Sequence, residues 1–363
     1  MGLIGVIPAA GKATRMGELG ASLPKALIEV DGRTLLERSI ETLQSIGVSR
    51  IVVVVGHLAE KIVERDLGVE IVHQERPLGL AHAIATAKPD DDFVVLCPDN
   101  IYTDDTDLIR AREIFDANES VFLLVGTVTP NTQRDRKSYL TSGHRNIADN
   151  LYDYRRTSDV ASGLAINSTG CTFFKREALD YLPSFSSQEH IFRDYLDRIP
   201  GGLLYLLRGM RYDFSGPEDI ENYHELKRRL RDTNGPQGVS AILINPHGQV
   251  LLQQRDDNPA IRYPGHWSLF GGTIEDGESP ETAVAREVKE EIDFDMRNFG
   301  LFREFVQNNK REFAFAGELS ARLDELTLSE GQGMKFFSPS QLKELQIRPD
   351  DKDTLEQYFG VGE

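Results

Sequence analysis

Three glutamates stand close together late in the chain, in a pattern that suits a divalent cation. They are Glu287, Glu290 and Glu291 of the stretch REVKEE. Positions i, i+3 and i+4 share one face of a helix, where like charges repel one another by about a few tenths of a kcal/mol per pair. Mg²⁺ removes this cost because it prefers carboxylate and substrate phosphate oxygens. The spacing therefore indicates a metal site that handles phosphate groups.

A glycine-rich stretch near the N-terminus, PAAGKATRMGELGASLPKAL, suits another part of phosphate chemistry. A glycine loop after a strand lets backbone N–H groups approach a phosphate closely. No Gly-Lys-Ser/Thr follows at the spacing of a Walker loop, and the dinucleotide fingerprint does not fit. Arg15 and Lys25 add positive charge, so the stretch predicts a phosphate-binding loop of a different kind.

The three glutamates need a helix to hold them, and the sequence supplies its signals. Ser279 and Pro280 favour a helix start, as N-cap and first helical residue. Val284, Val288 and Ile292 then follow at steps of four and predict the buried stripe.

The glycine loop needs a sheet behind it, and residues 1–232 alternate strand and helix patterns. RIVVVVG reads as a strand buried on both faces, and RTLLERSIETLQSIG as a helix that stops at Gly47. This alternation predicts an α/β fold with a mostly parallel sheet, whose ligands bind at the carboxyl ends of the strands. TNGPQG at 233–238 has linker composition, and a new strand pair begins the second domain, 239–363.

Composition narrows the function classes. The chain has 363 residues and a net charge of −17, which predicts two domains and argues against a nucleic-acid scaffold. Two cysteines, Cys97 and Cys171, are too few for a disulfide framework and favour a cytoplasmic location. No apolar run approaches the roughly 18 residues of a membrane span, so no membrane partner is expected.

The carboxylate stretch resembles the signature of the Nudix hydrolases, whose fold is an α/β/α sandwich. Asp293 departs from it, standing where the family usually has glycine. The resemblance implies that Arg286 pairs with Glu278 to hold the loop and that Glu290 takes part in catalysis. It implies Mg²⁺ or Mn²⁺ ligands at Gly272, Glu287, Glu290, Glu291 and Glu330. The matching residues are Gly272, Glu278, Arg286, Glu287, Val288, Glu290, Glu291 and Phe294.

The N-terminal stretch resembles the nucleoside-triphosphate transferases that make sugar nucleotides, which have a Rossmann-like, mostly parallel sheet. Gly11, Thr14, Arg15, Pro24 and Lys25 match, and Ala13 replaces a usual glycine. The resemblance implies roles for a longer set of residues. These are Ala10, Gly11, Thr14, Arg15, Lys25, Gln74 and Gly79 for the triphosphate and base, Arg15 and Lys25 for catalysis, Asp99 and Asp213 for Mg²⁺ or Mn²⁺, and Arg155, Arg156 and Gly170 for the acceptor.

Together the two resemblances imply a bifunctional enzyme. One half would transfer a nucleotidyl group from a nucleoside triphosphate to a sugar 1-phosphate or similar phosphorylated acceptor, and the other would hydrolyse a nucleoside-diphosphate-linked compound. Two alternatives stay open: a Nudix module that only senses a nucleotide, and a metal-dependent glycosyltransferase. No nucleic-acid partner is expected, and a homo-oligomer is compatible with the sequence.

Overall fold

The chain packs into two compact units that do not follow chain order. A computed structural model describes residues 2–103, 105–129, 144–146, 150–154, 164, 166–183, 192–209, 211–233 and 235–360. The first unit comprises Met1–Val125, Thr169–Tyr205 and Arg211–Glu225. The second comprises Gly126–Ser168, Leu206–Met210 and Leu226–Glu363. The domain boundary at 233–238 stays a prediction.

The first unit is built on a mostly parallel sheet with the strand order β5-β4-β1-β6-β11-β8-β12. β1 runs parallel to β4 and β6, and β4 runs parallel to β5, whereas β11 is antiparallel to β6. The α/β class predicted from the alternating pattern is confirmed. The strands before residue 214 are β1 (Ile4–Ala9), β2 (Glu29–Val30), β3 (Arg33–Thr34), β4 (Arg50–Val55), β5 (Glu70–His73), β6 (Phe93–Leu96), β7 (Asn100–Tyr102), β8 (Phe122–Val128), β9 (His144–Asn146), β10 (Leu151–Asp153), β11 (Ile166–Phe174), β12 (Leu203–Leu206) and β13 (Arg211–Asp213).

The helices follow the sequence signals closely. The helix Leu35–Ser45 starts at a capping box between Thr34 and Glu37 and ends just before Gly47, whose φ is 76°. Among the described residues, no helix is both long and apolar enough to cross a membrane. The α-helices are Gly17–Ser22, Leu35–Ser45, Ala59–Val63, Leu80–Ala87, Thr106–Asp116, Phe192–Leu196, Pro217–Arg231, Pro280–Ile292 and Pro349–Phe359, and the 3-10 helices are Thr14–Met16, Lys25–Leu27, Arg176–Tyr181, Leu323–Glu325 and Pro339–Glu344.

The second unit holds a mixed sheet with the order β16-β15-β14-β18-β17, and β19 pairs with β15. β14 and β18 run parallel, whereas β15 is antiparallel to β14, β16 and β19, and β17 is antiparallel to β18. Val284, Val288 and Ile292 of the helix Pro280–Ile292 are fully buried, as predicted, and pack in one cluster with Phe270 and other apolar side chains. The strands are β14 (Gly238–Ile244), β15 (Val250–Gln254), β16 (Trp267–Ser268), β17 (Phe299–Gln307), β18 (Lys310–Glu318) and β19 (Gly333–Phe337).

Strand β17 ends the strand order of this sheet, and earlier parts of the chain cover its first residues. The buried side chain of Asn150 donates from Nδ2 to the carbonyl oxygens of Phe299, at 2.8 Å, and Leu206, at 3.2 Å. The N–H of Leu301 donates to the carbonyl oxygen of Arg208 at 3.2 Å. These bonds satisfy main-chain groups that an edge strand would otherwise leave unpaired.

Candidate functional site

A cavity of about 610 Å³ lies in the first unit, beside the loop that follows β1. It also touches the segments after β5 and β6, as expected for a ligand site at the carboxyl ends of parallel strands. Eight of the residues predicted for the nucleotide and its metal line this cavity, and Lys12, Cys97 and Ser215 were not among the predictions. The eight are Ala10, Gly11, Thr14, Arg15, Lys25, Gln74, Gly79 and Asp99.

The glycine loop turns sharply at the cavity wall. Ala13 has φ 49°, a left-handed conformation, and starts the 3-10 helix Thr14–Met16. A Cβ on Gly20 would lie 2.3 Å from the carbonyl oxygen of Ala13, so only glycine fits there. A Cβ on Gly11 would meet nothing within 4 Å. The loop therefore leaves open space beside Gly11, with Lys12 and Arg15 at the same wall.

A lysine and an aspartate form an ion pair at this cavity. Nζ of Lys25 lies 2.8 Å from Oδ2 of Asp99, although the two residues are 74 positions apart. The other carboxylate oxygen of Asp99 accepts a hydrogen bond from Nδ2 of Asn100 at 2.7 Å. The arrangement places a fixed positive charge directly beside a carboxylate predicted to bind a cation.

Asp213 lies on a segment that pairs with the one carrying Asp99. β7 and β13 run antiparallel with Asn100 opposite Asp213, and the N–H of Phe214 donates to the carbonyl oxygen of Asp99 at 2.9 Å. Ser215 Oγ donates to Asp213 at 3.0 Å. Two carboxylates on neighbouring segments, one of them lining the cavity, fit Mg²⁺, which takes one or two protein carboxylates and completes its shell with substrate phosphates and water.

The predicted acceptor residues divide into two groups. Gly170, with φ 78°, lies against Cys97 and Asn100, because its Cβ would be 2.9 Å from Cβ of Cys97 and 2.8 Å from Nδ2 of Asn100. It is therefore next to the segment that carries the metal-ligand candidate Asp99. Arg155 and Arg156 lie outside the described residues.

Gln74 and Gly79, the predicted base readers, contact each other at another part of the cavity wall. Gln74 is 5% exposed, and its Nε2 lies 3.3 Å from the carbonyl oxygen of Gly79 and 2.7 Å from Nδ1 of His82. Gly79 has φ 90° and caps the helix Leu80–Ala87. His82, which lies on this helix three residues after Gly79, was missed in the sequence because nothing in the local pattern distinguishes it.

A second cavity, of about 640 Å³, lies in the second unit at the helix Pro280–Ile292. A Cβ on Gly272 would lie 2.5 Å from the carboxylate of Glu287, so glycine lets the loop backbone approach that acid. All the residues predicted for the Nudix metal line this cavity: Gly272, Glu287, Glu290, Glu291 and Glu330.

Arg286 connects the acids of this second cavity. It makes two hydrogen bonds of 3.0 Å to Glu278 and further ones to Glu287 at 3.0 Å and Glu290 at 3.1 Å. Its hydrogen bond to Glu278 is the main cause that raises the pKa of Arg286, and it lowers the pKa of Glu278. The predicted pair of Arg286 and Glu278 is thus present. A fifth bond, to the carbonyl oxygen of Thr273 at 3.1 Å, ties the loop to the helix.

Glu291 is the buried member of the acidic set. Its carboxylate accepts from Nε2 of Gln253 at 3.0 Å and from the N–H of Gly271 at 2.9 Å. Burial raises the pKa of Glu291 to about 7, and the neighbouring Glu287 and Glu330 add to the rise. A cation would favour the charged form of this acid.

The acidic side chains of the second cavity have the donor chemistry of a metal site, although Arg286 contacts two of them. No group of three or more His, Cys, Asp or Glu side chains in the described part of the chain is arranged to hold a metal ion. In the second cavity this agrees with Arg286 holding Glu287 and Glu290. The donor set itself, carboxylates beside the backbone of Gly272, is the oxygen-rich kind that Mg²⁺ and Mn²⁺ accept.

Asp293 ends the helix that carries these acids. It has φ 53° and ψ 35°, the left-handed cap conformation in which glycine is usual, and its N–H donates to the carbonyl oxygen of Lys289. Nζ of Lys289 lies 2.7 Å from its carboxylate. The aspartate therefore adopts the geometry expected of the glycine that it replaces.

Comparison with protein families matches the two ends of the chain separately. Residues 5–169 match the model of the MobA-like NTP transferase domain, and residues 235–358 match the model of the NUDIX domain. The first match contains the residues that line the first cavity except Ser215, and the second match contains those that line the second cavity.

Among the similar proteins, one is a nucleotidyltransferase by name and another is a bifunctional protein, and each matches about a third of this chain. The UTP–glucose-1-phosphate uridylyltransferase AglF of Haloferax volcanii is 34% identical over 127 residues, which cover 33% of this chain and 52% of that protein. The bifunctional protein GlmU of Methanococcus maripaludis is 39% identical over 123 residues, which cover 32% of this chain and 28% of that protein. The chain thus spans about half of one relative and about a quarter of the other.

Solved structures show the same fold for the larger part of the chain. A UDP-glucose pyrophosphorylase from Acinetobacter baumannii superposes with a TM-score of 0.51 at 19% identity, over 64% of this chain and 94% of that one. A UDP-glucose pyrophosphorylase complexed with UDP-glucose gives a TM-score of 0.53 at 16% identity, over 62% and 99%.

Proposed function

Because this chain joins a MobA-like NTP transferase domain to a Nudix domain, we propose that it is a bifunctional enzyme with two metal-dependent sites. The first transfers a nucleotidyl group from a nucleoside triphosphate to a sugar 1-phosphate or similar phosphorylated acceptor and releases pyrophosphate. The second hydrolyses a nucleoside-diphosphate-linked compound. The observation that carries the first activity is the ion pair of Lys25 and Asp99 at the cavity that the glycine loop borders.

In the transferase site, the chain's own groups position and neutralise the triphosphate. Backbone N–H groups around Gly11 bind phosphate oxygens, and Arg15 and Lys25 offset charge on the α-phosphoryl group and the leaving pyrophosphate. Asp99 and Asp213 would hold Mg²⁺, which supplies further neutralisation when bound. Catalysis of this kind rests on positioning and fixed charge rather than on a protein nucleophile.

The base and the acceptor occupy different parts of that site. Gln74 and Gly79 read the base, since a carboxamide offers both a donor and an acceptor to a base edge. Gly170, which packs closely against the segment that carries Asp99, lies at the acceptor side of the site, and Arg155 and Arg156 bind the acceptor's phosphate. We also propose a cytoplasmic location, supported by the two free cysteines, Cys97 and Cys171.

In the hydrolase site, the acids Glu287, Glu290, Glu291 and Glu330 and the backbone of Gly272 would hold Mg²⁺ or Mn²⁺. When bound, the metal lowers the pKa of water and neutralises the diphosphate. Arg286 holds the loop against the helix through its hydrogen bonds to Glu278 and to the carbonyl oxygen of Thr273.

The decisive experiment measures both activities on one purified protein. The full chain is incubated with each of the four common ribonucleoside triphosphates or dTTP, Mg²⁺ and a panel of sugar 1-phosphates, and pyrophosphate and diphosphate-cleavage products are assayed separately. Pyrophosphate release that depends on an acceptor supports the transferase. Its absence with every pair tested contradicts it.

The same experiment distinguishes a hydrolase from a nucleotide-sensing module in the second domain. Cleavage of sugar nucleotides, dinucleotides or nucleoside diphosphates supports a hydrolase. Saturable nucleotide binding without cleavage at any metal concentration identifies a sensing module instead. Glycosyl transfer from a sugar nucleotide, without pyrophosphate release, would identify the first domain as a glycosyltransferase.

A further inference from the structure

The side-chain amide of Gln74 is held by two partners on one side. Its Nε2 atom lies 3.3 Å from the carbonyl oxygen of Gly79 and 2.7 Å from Nδ1 of His82. The side chain is almost fully buried, yet Gln74 lines the cavity. Both contacts therefore use the same end of the carboxamide.

These contacts identify which atom of the Gln74 carboxamide is the nitrogen and which is the oxygen. A carbonyl oxygen only accepts, so the carboxamide atom that faces Gly79 must be the nitrogen. That nitrogen has two hydrogens, and with one directed to Gly79 the other is directed to His82. Nδ1 of His82 must then accept, which assigns the neutral imidazole with its proton on Nε2. Oε1 is left as the remaining polar atom of Gln74.

We propose that His82 is a positioning residue for base selection, which it performs by locking the Gln74 carboxamide with its oxygen available to the ligand. This inference rests on the proposed transferase function. A site that offers a fixed acceptor favours a base with a ring N–H at that point. Uracil and thymine carry a hydrogen on N3, whereas N3 of cytosine is itself an acceptor.

Without His82 the carboxamide would lose the shorter of its two contacts and much of this bias. Only the 3.3 Å contact with the carbonyl oxygen of Gly79 would then oppose a flip that turns Nε2 toward the ligand, and by turning, the amide could satisfy either pyrimidine. The site rejects cytosine only if Oε1 of Gln74 is held opposite N3 of that base, where two acceptors face each other. If the carboxamide could turn, its Nε2 would donate to N3 of cytosine and the selectivity would be lost. The role of His82 is thus one of discrimination rather than of contact with the ligand.

The test compares UTP and CTP, two pyrimidine triphosphates that differ in the hydrogen-bonding pattern of N3 and C4. Binding to the full-length protein with Mg²⁺ is measured by calorimetry for wild type, His82→Leu and His82→Asn. We expect wild type to prefer UTP by on the order of tenfold or more. His82→Leu should lower this ratio several-fold, with the remaining preference due to the contact between Gln74 and Gly79.

The Asn variant separates the acceptor from the side chain's bulk. Its Oδ1 takes the place of Nδ1, so His82→Asn should keep most of the preference. A UTP:CTP ratio unchanged in His82→Leu overturns the inference. So does an equal loss in the Leu and Asn variants when both are folded by thermal melting.

The outcomes also distinguish this inference from the function on which it rests. Wild-type protein that binds UTP and CTP equally, and still performs nucleotidyl transfer, overturns the inference alone. Wild-type protein that binds no triphosphate and transfers no nucleotide overturns both.

Discussion

The two cavities organise charge in different ways. In the first, cations and carboxylates come from distant segments: Lys25 follows the glycine loop, Asp99 ends a buried strand, and Asp213 arrives on β13. In the second, Glu287, Glu290 and Glu291 lie on one helix, and a single arginine of that helix, Arg286, contacts two of them as well as Glu278 of the preceding loop. The first site therefore depends on sheet topology, whereas the second is nearly complete within one loop and one helix.

This difference determines how a substitution at each site affects the structure around it. A single substitution on the helix of the second site changes a local charge while its buried stripe is untouched. In the first site, the metal-ligand candidates are positioned by main-chain pairing between β7 and β13, so the side chains can be changed with little effect on that pairing.

The largest effect is expected at the second site. Glu290→Gln removes one carboxylate charge and keeps an oxygen that can accept from Arg286, so the helix should persist. We expect diphosphate hydrolysis to fall by about 10²–10³-fold, comparable to the loss of one preorganised electrostatic group. Steady-state assays of hydrolysis and transfer on the same preparation provide the measurement. Glu281→Gln, an equal charge change outside the cavity, is the control and should keep both activities.

The same variant tests whether the sites are independent. Nucleotidyl transfer by Glu290→Gln should stay within about a factor of two of wild type, roughly 0.4 kcal/mol in the barrier. If transfer and hydrolysis decline together in a protein whose circular dichroism is unchanged, the two sites are coupled.

At the first site, Lys25→Ala should reduce nucleotidyl transfer by on the order of 10²-fold, because a positive charge at the α-phosphoryl group is lost. Hydrolysis should be unaffected. Lys61→Ala, a lysine outside the cavity, serves as the control. Transfer at the wild-type rate in Lys25→Ala would remove this residue from the site.

Arg286→Lys tests the connector of the second site. Lysine cannot keep a two-point contact with Glu278 and also reach Glu287 and Glu290, since it lacks the planar fork of arginine. We expect metal affinity or hydrolysis to fall by about 10- to 100-fold, as for other groups that orient metal ligands. Titration of hydrolysis against Mg²⁺ is the measurement. Wild-type metal dependence in this variant would show that the pairing is dispensable.

The smallest effect concerns two left-handed residues, one beside each site. Ala13→Gly should raise the free energy of unfolding by about 1 kcal/mol, because alanine is strained at φ 49°. Asp293→Gly should change it less, since Asp tolerates this conformation and contacts Lys289. Denaturant titrations of both variants provide the comparison. A larger gain for Asp293→Gly than for Ala13→Gly would contradict the expected order.

Much of the second site is visible in the sequence because its parts lie close together. The N-cap Ser279, the buried Val284 and the acids at fixed spacing all follow from local rules. Local spacing does not show that Arg286 would hold Glu287 and Glu290 as well as Glu278. Those bonds depend on side-chain conformations that only the folded loop defines.

Less of the first site follows from local rules. The glycine loop and the buried strand RIVVVVG are predictable, but the approach of Asp213 to Asp99 depends on the register of β7 and β13, which are 109 or more positions apart. His82 shows a further limit. A histidine on a short helix has no distinctive pattern, and its contact with Gln74 arises from how that helix meets the end of β5.

The contacts of Asn150 bear on any attempt to dissect this protein. The segment 233–238 looks in the sequence like a natural place to divide the chain. Division there would separate the side-chain amide of Asn150 from its acceptor, the carbonyl oxygen of Phe299. It would also separate the carbonyl oxygen of Arg208 from the N–H of Leu301. The C-terminal fragment would then carry a bare strand edge, a template for self-association. The two domains are therefore not freely separable. The C-terminal fragment produced alone should self-associate, and production together with the N-terminal fragment should suppress this by covering β17 again.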